Sequence, residues 1–143
     1  MVIALLGAIT YQDIKTREIP DGLNLLFFLL GVARMVLVSG QTLPNRLIGS
    51  AIISLPLLLA SVITAGSIGG GDVKLMAAAG FLLGAKEVCL AAAIGIVVAA
   101  IYAGWLLVAK KATLNDNLPL GPSLCLGIAL SYFCFENILR LLF

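Results

Sequence analysis

The chain has 143 residues, of which 62% are hydrophobic and 11% are charged, and its mean hydropathy is +1.15. This composition is far more apolar than that of a soluble domain of similar length, and it predicts an integral membrane protein. The formal net charge is only +2, and the basic residues are scattered along the sequence, which argues against a nucleic-acid partner.

The sequence contains no histidine. This excludes Ser/His/Asp and Cys/His nucleophile schemes and the HExxH zinc-protease arrangement. The cysteines at 89, 125 and 134 lie in apolar runs without CxxC spacing, and we interpret them as small core residues. We therefore expect no metal and no cofactor. An enzyme built on this sequence has to use carboxylates, lysine or hydroxyl groups.

Long uncharged runs, separated by proline and glycine residues, predict an all-α integral membrane protein with six transmembrane helices in one domain, residues 1–143. The predicted helices run from Met1 to about Thr16, about Gly22 to Val38, Leu47 to Gly71, Asp72 to about Leu83, Val88 to Ala109, and Asn117 to Phe135. We interpret the first 12 residues as a retained helix because no basic region precedes them. Arg34 is close enough to the end of its helix to snorkel to the headgroups.

Two carboxylates are predicted on the same face of the membrane. Asp13 lies near the end of the first helix and Asp72 begins the fourth, and the two helices between them return the chain to its starting side. The predicted flanking charges on that face are Lys15, Arg17, Lys74, Lys110 and Lys111, against Arg34, Arg46, Lys86 and Arg140 on the other. The small excess of basic residues favours a cytoplasmic location for the acids.

Asp72 follows three glycines, Gly69, Gly70 and Gly71. An acid at a helix start is favoured by the unpaired N–H groups, so a simple helix cap is one interpretation. Three consecutive glycines also leave no side chain to keep a substrate strand away from the acid. The segment lacks the lysine and Ser/Thr of a P-loop and the spacing of GxGxxG, which argues against nucleotide binding.

Asp13 opens the sequence Asp-Ile-Lys-Thr-Arg-Glu-Ile-Pro-Asp at residues 13–21. Taken alone, it is interpreted as an interfacial acid paired with Lys15 or Arg17. If it converges with Asp72 in a partly dry site, the two acids cannot both ionise at low cost. One would then hold a proton while the other draws a proton from water, as in aspartyl proteases.

These residues resemble the signature of type IV prepilin peptidases, which are bacterial membrane aspartyl proteases with a GxGD motif. Residues 13–21 are similar to the family's first acidic motif, and residues 69–75 (GGGDVKL) to its second, with Gly69, Gly71 and Asp72 in the GxGD positions. Residues 118–127 (LPLGPSLCLG) are similar to the start of the family's last helix, with Leu120 where Phe is common. The resemblance covers essentially the whole chain.

The resemblance implies removal of a short basic leader from prepilins or pseudopilins at the cytoplasmic face of the bacterial inner membrane. Asp13 and Asp72 would be the catalytic pair. The implied substrate-binding or site-shaping residues are Pro20, Gly69, Gly70, Gly71, Lys74, Gly121 and Pro122. Bifunctional members carry a soluble insert with paired CxxC motifs and also N-methylate the product; this sequence lacks that insert, so peptidase activity alone is expected.

Two other classes of function remain open at this point. A small proton-coupled transporter would use the same aspartates to carry protons, although it would place them near the bilayer midplane rather than at helix ends. A non-catalytic assembly subunit would use its small residues only for close helix contacts. Lys74 is compatible with contacting either the substrate or lipid phosphate.

Overall fold

The computed structural model describes residues 1–16, 18–38, 40–64, 68–109 and 120–142, and in the last helix it describes side chains only to Phe135 and at Asn137. The described residues form six α-helices and no strand, as the sequence predicts. The helices are α1 (Val2–Thr16), α2 (Asp21–Leu37), α3 (Leu43–Ile63), α4 (Gly70–Leu83), α5 (Ala85–Val108) and α6 (Gly121–Leu142).

Two helices have the length and composition of membrane spans. α3 has 21 residues and α5 has 24, with mean hydropathies of 2.0 and 2.3 over their most apolar windows. Only 11% and 17% of those windows are buried, whereas the core helix of a soluble protein is mostly buried. Long apolar helices that stay exposed indicate contact with lipid. The fold is therefore that of an all-helical membrane protein.

The helices begin and end near the predicted positions, with two clear differences. The last helix was predicted to end at Phe135, but α6 continues to Leu142. α3 begins at Leu43 and ends at Ile63, whereas the predicted span ran from Leu47 to Gly71. Pro44 does not break the helix, because it lies in the first turn of α3, where the missing N–H would have had no hydrogen-bond partner within the helix. Gly70 and Gly71 belong to the first turn of α4. The predicted start of the last helix, at Asn117, lies outside the described residues.

α4 is the central helix and contacts α2, α3, α5 and α6. Most of its side chains from Leu75 onward are buried, and Leu75, Met76 and Ala79 are completely inaccessible, whereas Lys74 is exposed. The other major packing contacts join α5 to α6, α3 to α5 and α1 to α6. With 14 residues, α4 is about 21 Å long, which is shorter than the ~30 Å hydrocarbon core of a bilayer. Because neighbouring helices cover it, it does not have to present its ends to lipid.

Glycines allow two pairs of helices to approach closely. A Cβ placed on Gly49 of α3 would lie 2.6 Å from the carbonyl oxygen of Gly80 in α4, so the two backbones are in direct contact there. A Cβ on Gly127 of α6 would lie 2.7 Å from the backbone nitrogen of Gly95 in α5. Small residues at helix crossings are the usual way in which membrane helices pack closely.

A buried polar cluster joins the end of α4 to the starts of α3 and α5. Arg46 is only 2% exposed, and its guanidinium donates to the carbonyl oxygens of Phe81 (3.0 Å) and Leu82 (3.3 Å). Gln41 donates to the Leu83 carbonyl oxygen (2.6 Å) and to the carboxylate of Glu87 (2.7 Å), which is 5% exposed. These donors satisfy carbonyl groups that have no partner at the end of a helix.

Arg34 differs from its predicted role at the headgroups. Its guanidinium lies 5.0 Å from the centre of the Tyr132 ring in α6 and within electrostatic range of Glu87. This aromatic face and this buried carboxylate provide a protein environment for the charge, so Arg34 belongs to the same polar cluster.

Candidate functional site

Asp13 lies in the last turn of α1 and is 6% exposed. Its carboxylate faces the backbone amide of Gly121, the first residue of α6. A Cβ at position 121 would collide with this carboxylate, at 2.7 Å from Cγ of Asp13. The site therefore requires glycine at the start of α6. The carboxyl group at the end of α1 is buried rather than in a surface pair with Lys15, as the alternative interpretation supposed; Arg17, the other partner it named, lies outside the described residues.

Asp72 lies in the first turn of α4 and is 7% exposed. Gly69 is the N-cap residue, and the Asp72 backbone N–H donates to its carbonyl oxygen (3.0 Å). A Cβ at Gly69 would lie 3.6 Å from Oδ2 of Asp72, and a Cβ at Gly71 would lie 2.9 Å from Cβ of Ile19. Gly70 has open space around it. The three glycines thus have different surroundings.

The two carboxylates lie close enough to interact electrostatically. Oδ2 of Asp13 and Oδ1 of Asp72 are buried, and neither has a hydrogen-bond partner among the described residues. Buried acceptors are rarely left unpaired in proteins, and exceptions concentrate at functional sites. The described residues contain no cluster of three or more potential metal ligands. Within the described part of the chain, each acid therefore offers an unpaired oxygen in a buried setting.

Each carboxylate lies near the N-terminal end of a helix, although Asp13 itself belongs to the last turn of α1. Asp72 is within the first turn of α4, and Asp13 faces the first residue of α6. The N-terminal end of a helix carries partial positive charge and free N–H groups, so it stabilises a nearby anion. Two converging helix ends therefore offset part of the repulsion between the two acids. Among the described residues, no basic side chain forms a salt bridge with either carboxylate; Lys74 forms a salt bridge with Asp21 instead.

Lys74 does not contact the carboxylate of Asp72 but pairs with Asp21. Its Nζ lies 2.7 Å from Oδ1 of Asp21, and both side chains are largely exposed. Pro20 precedes α2 in an extended conformation, and its carbonyl oxygen accepts the N–H groups of Leu23 and Asn24. Pro122 is the second residue of α6. Three of the basic residues predicted on the same face lie outside the described residues: Arg17, Lys110 and Lys111.

Sequence reasoning missed Asn24 as part of the site. Asn24 is 6% exposed, and its Nδ2 donates to the carbonyl oxygen of Gly71 at 3.5 Å, immediately before Asp72. Its Oδ1 is buried without a hydrogen-bond partner among the described residues. The available signal was its position, since an asparagine one turn after Asp21 in an otherwise apolar helix requires a polar neighbour.

The interpretation of the cysteines as core residues is confirmed for Cys125, which is buried, but Cys89 is only half-buried and Cys134 is exposed, so it was wrong for Cys134. The thiol of Cys125 lies near Thr10 of α1 and within electrostatic range of both aspartates. It is therefore a small side chain that fills the space behind the acids and helps pack α6 onto α1.

The fold and site define an all-helical membrane protein with two buried, neighbouring carboxylates at helix ends. A family model described as the type IV leader peptidase family matches residues 1–104, and the chain belongs to this family. It is also 32% identical, over 138 residues, to a prepilin leader peptidase/N-methyltransferase from Bacillus subtilis (strain 168). The match covers 96% of this chain and 55% of the relative, so the chain spans about half the relative's length. No solved structure gives a significant match.

Proposed function

We propose that this chain is an aspartic endopeptidase that removes the short basic leader from type IV prepilins or pseudopilins. The observation that carries the proposal is the pair of buried carboxylates, Asp13 and Asp72, which interact electrostatically while one oxygen of each has no hydrogen-bond partner among the described residues. Membership of the type IV leader peptidase family supplies the substrate class. The name of the Bacillus relative supports the same choice.

In the proposed reaction, one aspartate is ionised and the other is protonated. The ionised carboxylate takes a proton from a water molecule, whose oxygen attacks the scissile carbonyl carbon. The protonated acid donates its proton to the carbonyl oxygen, giving a neutral tetrahedral intermediate. This intermediate collapses as the C–N bond breaks: the leaving amine takes up the proton held by the first carboxylate, and one hydroxyl group of the intermediate gives its proton to the second carboxylate as the product carboxyl group forms. The roles belong to the pair, since strongly coupled acids titrate together.

The proposed topology has six membrane spans with the aspartates at the cytoplasmic side of the bacterial inner membrane. The burial of Arg46 supports this orientation, because a guanidinium bound to helix carbonyls does not act as a flanking charge on the opposite side. Without Arg46, the sequence has five basic residues on the side of the aspartates and three on the other side, Arg34, Lys86 and Arg140. The short helices α1 and α4 would reach the interface by way of the polar segments that adjoin the site.

We propose that residues 1–143 form one peptidase domain. The activity proposed for this domain is peptide hydrolysis alone. The relative's name includes an N-methyltransferase activity, and the chain spans about half of that protein. The cysteines of this chain are separate and free, rather than paired in CxxC motifs. Both aspartates lie in terminal turns of their helices, which supports hydrolysis at the membrane surface over proton transport through the midplane.

Leader removal in cells tests the proposal. The chain is coexpressed with a prepilin, and precursor and mature forms are separated by mass; wild type, Asp13→Asn and Asp72→Asn are compared at equal amounts of folded protein. Loss of an acid–base group costs about 10²- to 10⁴-fold in rate, so both variants should leave the precursor uncleaved. Glu87→Gln is the matched control, because it neutralises a buried carboxylate elsewhere in the fold. Normal cleavage by either aspartate variant, or none by wild type, would refute the proposal.

A further inference from the structure

A groove of about 510 Å³ runs along the outside of the bundle between α2 and α4. Small residues form its floor, among them Gly22, Ala77 and Ala78, and the exposed apolar side chains of Leu25 and Phe28 form one wall. From Asp21 to Phe28 it follows α2 for about 10 Å, or two helical turns. Small residues on one side and large apolar residues on the other are the usual surroundings of a packed membrane helix.

One end of the groove is charged. Asp21 and Lys74, which form the exposed ion pair at 2.7 Å, both line it. An ion pair of this kind contributes at most about 1 kcal/mol, so a competing cation can displace Lys74 from Asp21 at little cost. A basic residue placed at this end would therefore find a carboxylate, while an apolar helix lying farther along would find an apolar surface.

The charged end of the groove lies at the same end of α4 as Asp72. Asn24 lines the groove, and its side-chain amide donates to the carbonyl oxygen of Gly71, the residue before Asp72. Lys74 lines the groove two residues after Asp72, whereas neither aspartate lines it. A helix lying in the groove would thus begin at the level of Asp72, and the chain preceding that helix would have to cross from the α2 side of α4 to the aspartates.

We propose that this groove binds the first two turns of the apolar helix that follows the scissile bond of the substrate, and that Asp21 contacts a basic residue of its leader. The inference rests on the proposed peptidase function and adds to it the surface that holds the substrate. A basic leader would meet the carboxylate of Asp21 at the charged end, the cleavage site would lie at the level of Asp72, and the membrane helix would meet the apolar remainder of the groove. Lipid acyl chains and a second copy of this chain are the competing occupants.

Photo-crosslinking identifies the occupant. A photoreactive amino acid replaces Leu25, which lines the groove and is 59% exposed, or Leu26, which is 46% exposed on the same helix but does not line it. Both are made in the Asp72→Asn enzyme so that substrate is not consumed. The probe is a fusion with a basic leader, a glycine and an apolar helix. Crosslinks from position 25 to that helix, at least about fivefold above those from position 26, are expected if the contact is specific.

Equal crosslinking from the two positions, or crosslinks from position 25 only to lipid or to another copy of the chain, would overturn the inference. Leader removal by the wild-type enzyme is measured on the same fusion. If the wild type cleaves but the crosslinks are not specific, the groove is wrong and the proposed function stands. If the wild type does not cleave, the proposed function is wrong, and the inference that rests on it fails too.

Enzyme kinetics on groove variants test the same inference independently. Ala77→Leu places a larger side chain on the floor of the groove, and Ala93→Leu makes the same change at an exposed position of α5 that does not line it. Filling a binding surface removes binding shared by substrate and transition state, so KM for the fusion should rise at least about fivefold in Ala77→Leu while kcat stays near that of wild type. An unchanged KM in Ala77→Leu, or an equal rise in Ala93→Leu, would contradict the inference.

Discussion

Asp13 and Gly121 come from opposite ends of the chain, yet the carboxylate of one lies directly against the backbone of the other. The contact joins the end of α1 to the start of α6. It gives Asp13 a helix N-terminus as its neighbour, and it also makes the position of Asp13 depend on a residue without a side chain. The first and last helices of the bundle therefore both contribute to the candidate site.

Gly121→Ala should reduce leader removal by about tenfold or more, because the new methyl group would collide with the Asp13 carboxylate. Replacing a helical glycine by alanine normally stabilises a protein by about 0.4–1 kcal/mol. At this site a collision costing about 1–3 kcal/mol outweighs that gain. Cleavage rate and thermal unfolding in detergent check the prediction. Gly104→Ala is the control, since a Cβ there meets nothing within 4 Å; an equal loss in both variants would contradict the argument.

Gly71→Ala and Gly70→Ala should have opposite effects on stability although the residues are adjacent. A Cβ at Gly71 would lie 2.9 Å from Cβ of Ile19, which cannot move away without its backbone, whereas Gly70 has open space. We expect Gly71→Ala to lower the free energy of unfolding by about 1 kcal/mol or more and Gly70→Ala to leave it unchanged or raise it. Thermal unfolding of both variants checks this. Destabilisation by Gly70→Ala alone would be the contrary result.

The number of helices was predictable because apolar runs and the breaks between them are local features. The sequence places α2, α4 and α5 within three residues of their observed bounds. The start of α3 was wrong because proline is compatible with both a turn and the first turn of a helix, and only packing distinguishes the two. In this chain Arg46 is hydrogen-bonded to the end of α4, which favours the helix.

The aspartates were predictable as candidates because acids are rare in an apolar chain. Their surroundings were not, since they depend on contacts between distant parts of the sequence. Asn24 reaches Gly71 across 47 positions, and Arg46 reaches Phe81 across 35. Neither contact has a local pattern, so each residue alone resembles a polar residue near a helix end. Their burial becomes explicable only when the partner helix is in position.

Asn24→Leu should slow cleavage by about tenfold because it removes the hydrogen bond to the Gly71 carbonyl oxygen, which fixes the backbone beside Asp72. Leucine has a similar volume, so the change tests polarity more than packing. Asn24→Gln, which retains an amide, should recover part of the rate. The measurement is kcat and KM for one prepilin, and a positioning role predicts that kcat changes more than KM. A variant with wild-type kcat would show that the bond is dispensable.

Arg46→Met should destabilise the protein without abolishing the chemistry. The guanidinium binds the carbonyl oxygens of Phe81 and Leu82 and lies in electrostatic range of Glu87, so its removal leaves buried acceptors unpaired and weakens the positive potential at Glu87, where Arg34 remains. Leaving a buried acceptor unpaired costs about 1–3 kcal/mol. Because the residue binds the last turn of α4, while Asp72 lies in the first, cleavage per folded molecule should stay close to wild type. Thermal unfolding and cleavage at a temperature where both proteins are folded separate the two effects.

Lys86→Met, at an exposed neighbour of Glu87, is the control and should change neither the stability nor the cleavage rate. Adding Glu87→Gln to Arg46→Met should restore part of the stability, since it removes the charge that the arginine had offset; if it does not, the cost of losing Arg46 lies in the helix carbonyls alone.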